Sequence, residues 1–175
     1  ELKPLKLELA KFKTEILRDQ ESKFGCDHVC FTTEINPGSG FKPLNKIASG
    51  GELSRFLLAA KLCFFDEDSK KTQIFDEIDR GVGGATASAI GKRLLEVSKH
   101  EQVLVVTHSP QVAAYSDNHL KVEKVNSDKS TITKVTTLNE ENTVREIARM
   151  LSGELVTSEA LAAAAKLRNT SRGIS

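Results

Sequence analysis

The chain has 175 residues, 39% hydrophobic and 28% charged, which suits one soluble domain with a core of its own. The formal net charge of +1 argues neither for nor against a nucleic-acid partner. Trp is absent and Tyr occurs once, so aromatic stacking platforms are scarce, and no apolar run of about 18 residues is present to span a membrane. The first residues, Glu1-Leu2-Lys3-Pro4, lack Met and a signal-peptide core, as expected of a cut inside a longer protein. Three cysteines, Cys26, Cys30 and Cys63, are too few and too odd in number for a disulfide framework and fit a reducing compartment. Cys26, His28 and Cys30 alternate on one strand face, but no fourth ligand lies near them, so a plain strand face is the reading preferred to a metal site.

In chain order, residues 2–11 carry spaced leucines and read as the end of a helix or an entry segment. Phe12, Thr14 and Ile16, then Val29, Phe31, Thr33 and Ile35, alternate with period two and predict two strands, with a hairpin across Asp19–Asp27. Asn36-Pro37-Gly38-Ser39-Gly40 opens a loop. Helical spacing of Leu53, Phe56, Leu57, Ala60 and Leu62 predicts a helix over about 51–65. Thr72–Phe75 and Val103–Val106 predict strands, the second apolar enough to be buried on both faces of a parallel sheet, and Ala85–Lys99 predicts the amphipathic helix between them. Beyond Pro110 come a short helix, a hairpin of 119–125 and 131–138 around Asn126-Ser127-Asp128, helices over Glu140–Leu151 and Ser158–Leu167, and a polar tail from Asn169 to Ser175.

Two stretches carry chemistry. Ser49-Gly50-Gly51-Glu52-Leu53-Ser54-Arg55 sets two glycines and a serine at the start of a helix, where bare backbone N–H groups attract anions. Ile74-Phe75-Asp76-Glu77 ends a strand in two carboxylates, one to face a metal–phosphate and one to reach a water. Taken as strand neighbours, Asp76 and Glu77 point to opposite sides. His108 ends the next strand, and strand C-terminal ends line the ligand crevice of open α/β sheets. The blander readings are an acidic loop start and a structural histidine. Asp79-Arg80-Gly81-Val82-Gly83-Gly84 is either a flexible connection or a loop built for close backbone approach. The other half of a nucleotide site is missing, because no Gly-x-x-x-x-Gly-Lys-Ser/Thr loop occurs.

With these motifs in this order, the chain resembles the ABC-type ATPases in their SMC-like form. Ser49 to Ser54 is similar to the signature motif, Ile74 to Glu77 to Walker B, Asp79 to the D-loop aspartate and His108 to the switch histidine. Asn36-Pro37-Gly38, Thr107-His108-Ser109-Pro110-Gln111-Val112-Ala113-Ala114 and Glu146-Ile147-Ala148-Arg149-Met150-Leu151 narrow the likeness to bacterial SMC-like DNA-repair proteins, over about residues 5–167. The resemblance implies an α/β fold, the C-terminal lobe of a P-loop ATPase head, with a mostly parallel sheet core, flanking helices and a β-hairpin. It assigns 12–168 to that lobe, 1–11 to a returning coiled coil or entry segment, and 169–175 to a flexible tail.

It further implies ATP and Mg2+ held between two dimerised heads. Ser49, Gly50, Gly51 and Glu52 would meet nucleotide bound mainly by the opposing head, and Asp76 would hold Mg2+. Glu77 would polarise the attacking water, His108 would contact the γ-phosphate, and Asp79 would act across the interface. The implied partners are the chain's own N-terminal Walker A lobe, a second head and DNA, in the bacterial cytoplasm at the nucleoid and without a membrane. Two alternatives are an ATP-gated clamp with little hydrolysis and a transporter nucleotide-binding domain. Glu52, where many transporters have Gln, speaks against the transporter.

Overall fold

The computed structural model describes residues 2–23, 25–47, 50–63, 71–127, 130–153 and 155–173. Ser49 and Ala48 lie outside these residues, as do 64–65 of the expected first long helix, Asp128 of the expected hairpin turn, and the last two residues of the tail. The chain divides into two compact units, Glu1–Asp68 and Ser69–Ser175. Each of the three sheets lies inside one unit.

The first unit begins with a single 3-10 turn, Lys3–Leu5, stopped by Lys6 in the left-handed region. Leu5 and Leu7 are buried there. Strands β1 (Lys11–Ser22) and β2 (Gly25–Glu34) form the expected antiparallel hairpin, with Phe12 opposite Thr33, Thr14 opposite Phe31 and Ile16 opposite Val29. Residues directly opposite share a face, so the alternating set forms one apolar stripe, on which the Phe12 and Phe31 rings stack 5.7 Å apart. Two residues, Lys42–Pro43, add a short β3 against β2. Helix α1 (Gly50–Cys63) buries Gly51, Arg55, Leu58 and Ala59, which lie at i, i+4, i+7 and i+8 on one face, together with Phe56. The Phe56 ring lies 5.6 Å from that of Phe12.

In the second unit, β4 (Thr72–Asp76) and β5 (Gln102–Val106) pair in parallel, from Thr72 opposite Gln102 to Asp76 opposite Val106. The crossover contains α2 (Gly84–Ser98), which buries Ala87, Ile90, Gly91, Leu94 and Val97. The expected burial of β5 on both faces does not hold. Leu104 and Val106 are 44% and 53% exposed, and Ile74 beside them is 70% exposed. One crossover supplies one helical layer, and the described residues supply no second.

A short α3 (Pro110–Ala113) leads to the hairpin of β6 (His119–Ser127) and β7 (Ser130–Leu138). Helix α4 (Glu140–Ser152) is capped by Asn139, whose side chain accepts from the Asn142 N–H. Helix α5 (Ser158–Ser171) is capped by Thr157, which accepts from the Ala160 N–H. Such caps satisfy N–H groups that the first turn leaves open. Ile147 and Ala148 of α4 form a small-residue core with Ala160 and Ala164 of α5 and with Ala113 and Ala114. α5 extends past Asn169, where the sequence suggests a loose tail, because Ser171 is buried and its hydroxyl donates to the Ala114 and Arg168 carbonyls.

Candidate active site

The parallel pair fixes where the chemistry gathers. β4 ends at Asp76, and the next amide, Glu77 N–H, still donates to the Val106 carbonyl at 3.1 Å. There the strand conformation stops, for Glu77 has φ +48°. A side-chain-bearing residue in the left-handed region is uncommon, and such strain concentrates at functional sites. The left-handed turn, rather than strand alternation, therefore sets where Glu77 points. The next residue, Ile78, is fully buried and anchors the turn. Arg80 N–H donates to the Glu77 carbonyl at 3.0 Å, and Val82 N–H to the Asp79 carbonyl at 3.4 Å. Gly81, at φ +75°, supplies a conformation that side chains resist.

From the neighbouring strand, Thr107, His108 and Ser109 follow β5 directly. The Thr107 hydroxyl donates to Asp79 Oδ2 at 2.7 Å and accepts from the Ser109 N–H at 2.9 Å. The Ser109 hydroxyl in turn donates to Gln111 Oε1 at 2.9 Å. Between the two segments lies a cleft of about 530 Å3 lined by Glu77, Asp79, Arg80, Val82, His108, Ser109 and Gln111. Arg80 Nη1 stands 3.1 Å from Glu77 Oε2 at the rim, with both side chains largely in solvent, where such a pair is worth under about 1 kcal/mol.

Of the residues singled out in the sequence, the structure brings Glu77, Asp79 and His108 to this one cleft. Asp76 ends β4 beside it, exposed and opposite Val106, without lining it. Gly50, Gly51 and Glu52 form the first turn of α1 in the other unit, Gly51 buried and Glu52 half-buried, and Ser49 lies outside the described residues. Sequence reasoning missed the roles of Thr107, Ser109 and Gln111. The available signal was a hydroxyl residue on either side of His108. Among the described residues no three Cys, His, Asp or Glu side chains converge as a cage for a metal.

The fold is that of a lobe of an ABC/SMC-type ATPase head. The Smc head domain with a coiled coil and joint from Pyrococcus yayanosii matches 83% of this chain and 27% of its own at a TM-score of 0.54 and 18% identity. The Smc head from Pyrococcus furiosus, solved with an extended coiled coil and bound to the C-terminal domain of ScpA, matches 86% of this chain and 36% of its own, at 0.52 and 18%. No family model matches the sequence. The curated relatives carry the name DNA repair protein RecN. The one from Rickettsia prowazekii is 47% identical over 168 residues, that from Rickettsia bellii 46% over 168, and that from Haemophilus influenzae 44% over 168. Each match covers 95% of this chain and 30% of the relative, so the chain spans under a third of the proteins it matches, and over that span it is RecN-like.

Proposed function

We propose that this chain is part of an SMC-like ATPase acting in DNA double-strand-break repair and recombination, and that it supplies one side of an ATP-hydrolysing site. The observation that carries the reading is the cleft in which Glu77, strained into the left-handed region, stands with Asp79 and His108. In this reading Glu77 takes a proton from, or orients, the attacking water, and the left-handed turn aims it. Asp76 holds Mg2+ through its carboxylate. His108 donates toward the γ-phosphate, and Asp79 works at the edge that meets a second head. Ser49, Gly50, Gly51 and Glu52 meet a phosphate held by that head, the last three from the first turn of α1, where open N–H groups attract anions. Mg2+, when bound, neutralises phosphate charge. Phosphoryl transfer asks for positioning and charge neutralisation more than covalent chemistry, and strand ends and tight turns provide positioning.

The missing phosphate loop makes the chain half of a site, completed by its own N-terminal Walker A lobe and by a second head. Alone, it does not turn over ATP. DNA is the proposed macromolecular partner, and the bacterial cytoplasm, at the nucleoid, the proposed location. Among the described residues no helix is long and apolar enough to cross a membrane. A clamp that binds ATP with little hydrolysis is the second reading. Glu77 weighs against it, since a binding-only site has small use for a strained carboxylate beside the metal-binding one.

The test is ATP turnover by the whole protein, wild type and Glu77→Gln, with and without linear duplex DNA. Turnover that collapses in the variant and rises with DNA upholds the proposal. A well-folded protein that binds ATP without turnover favours the clamp, and turnover indifferent to Glu77→Gln removes the role given to that residue.

A further inference from the structure

We propose that Thr107 is a positioning residue that ties the Asp79 turn to the strand end carrying His108, so that what happens at Asp79 is felt at the histidine; the proposal rests on the function just given to these two residues. The Thr107 hydroxyl has one proton and spends it on Asp79 Oδ2, at 2.7 Å. Its oxygen accepts the Ser109 N–H at 2.9 Å. The residues on both sides of His108 are thus held through one side chain, and one carboxylate oxygen of Asp79 is committed to that hold. The chain of bonds continues from the Ser109 hydroxyl to Gln111, whose side-chain amide nitrogen would stand 3.5 Å from a β-carbon placed on Gly84 at the start of α2. The residues that this bond joins, one in the turn after β4 and one in the turn after β5, are 28 apart in sequence, and the Thr107–Asp79 bond is a direct side-chain link between the two turns.

Bonds to a carboxylate are about twice as strong as neutral ones, so this link outweighs an ordinary turn contact. A group from outside that takes up Asp79 competes with Thr107 for the carboxylate. Released, Thr107 no longer fixes the Ser109 amide, and His108 loses the constraint on its flanks. Misplacement of this kind costs rate rather than ground-state binding.

The experiment uses the whole protein with Thr107→Val, which keeps the shape and removes the hydroxyl, and Thr107→Ser, which keeps the hydroxyl. Steady-state ATP turnover and amide hydrogen exchange over residues 77–82 and 107–111 are measured for both, beside Glu77→Gln. We expect Thr107→Val to lower kcat by about tenfold with KM little changed and to speed exchange in both segments, and Thr107→Ser to restore both. Wild-type exchange in Thr107→Val overturns the tie itself. Faster exchange with wild-type kcat overturns its part in the reaction, and a loss that Ser does not restore assigns the effect to packing and overturns it as well. If turnover ignores Glu77→Gln, the functional reading falls, while the exchange data still decide whether Thr107 joins the two turns.

Discussion

The ring of Tyr115 lies against Gly91 of α2 so closely that a β-carbon on Gly91 would stand 2.4 Å from Tyr115 Cδ2. The ring is held in place by its hydroxyl, 3.1 Å from Ser88 Oγ one turn earlier on the same helix. Two effects oppose each other at Gly91. Alanine in a helix interior is favoured over glycine by about 1 kcal/mol, whereas overpacking costs about 1–3 kcal/mol. Since the obstruction is the near edge of a fixed ring, overpacking wins. Gly91→Ala should lower stability by about 1–2 kcal/mol, and a denaturant midpoint equal to or above wild type would show that the ring yields.

Glu77 presents the reverse case, a residue placed against its own preference. Asn tolerates the left-handed region better than Glu. Glu77→Asn should therefore gain about 0.5–1 kcal/mol of stability from relieved strain while losing turnover in the whole protein. Chemical denaturation and an ATPase assay on the same preparation check both halves. A variant less stable than wild type would mean that the turn holds no strain worth relieving.

Arg168 is 2% exposed, and four hydrogen bonds hold its guanidinium. Its Nε and Nη2 grip both oxygens of Glu140, at 2.9 and 3.1 Å, and its Nη1 donates to the Ala114 and Ser116 carbonyls, at 2.8 and 2.5 Å. Arg168→Met keeps much of the volume but takes this donor from the Ser116 carbonyl and the two-pronged partner from Glu140, while Ser171 still donates to the Ala114 carbonyl and Arg172 still stands 3.7 Å from the exposed Glu140 carboxylate, which should cost about 1–3 kcal/mol. Arg168→Lys should recover little of it, because an ammonium cannot make the two-pronged contact. Thermal unfolding of the three proteins tests this, and a lysine variant of wild-type stability would contradict it.

Acid should loosen the second unit, starting with His119. Burial, the largest influence, pushes its imidazole below the ordinary 6.5; Glu146 pulls it up and Arg168 pushes it further down. Its Nδ1 is buried without a hydrogen-bond partner among the described residues. With a depressed pKa in the fold, the unfolded chain takes up protons first as the pH drops. The stability is whole above 6.5 and is lost below it. Two carboxylates add to the loss lower down. Glu140 is held below its ordinary 4.5 chiefly by its hydrogen bond from Arg168. Burial would raise Glu146, but Arg149 and Lys121 outweigh it and hold that carboxyl down too. Their contributions are present above 4.5 and vanish as the pH falls. A melting temperature followed from pH 7 downward should decline below 6.5, and His119→Gln should flatten that first decline. An unchanged slope in the variant would assign it elsewhere.

Much of this was legible because it is local. Alternation of Phe12, Thr14 and Ile16 against Val29, Phe31 and Thr33 encodes both strands of the first hairpin and the face they share. The apolar ends of β4 and β5 flanking a helical repeat encode the parallel pair, and with it the neighbourhood of Glu77 and His108. What escaped depends on the chain meeting itself at a distance. Arg168 lies one residue past the end of the helix expected over Ser158–Leu167, and its burial depends on partners from Ala114, Ser116 and Glu140 far back in the chain. The left-handed turn at Glu77 is invisible because the residue there is not one that prefers it. The run Val103–Val106 states what the strand wants on both sides, not what the described residues supply.

The grip of Arg168 has a consequence for the order in which the molecule is made. The carbonyls it holds belong to Ala114 and Ser116, a few residues beyond His108, yet the guanidinium is synthesised more than fifty residues later. A nascent or prematurely ended chain carries Glu77, Asp79, Thr107 and His108, and can seat Tyr115 on α2, but lacks the guanidinium that holds the Ala114 and Ser116 carbonyls. The edge that bears these residues is written early and locked last, so a truncated product carries all four on a support that lacks its final fastening.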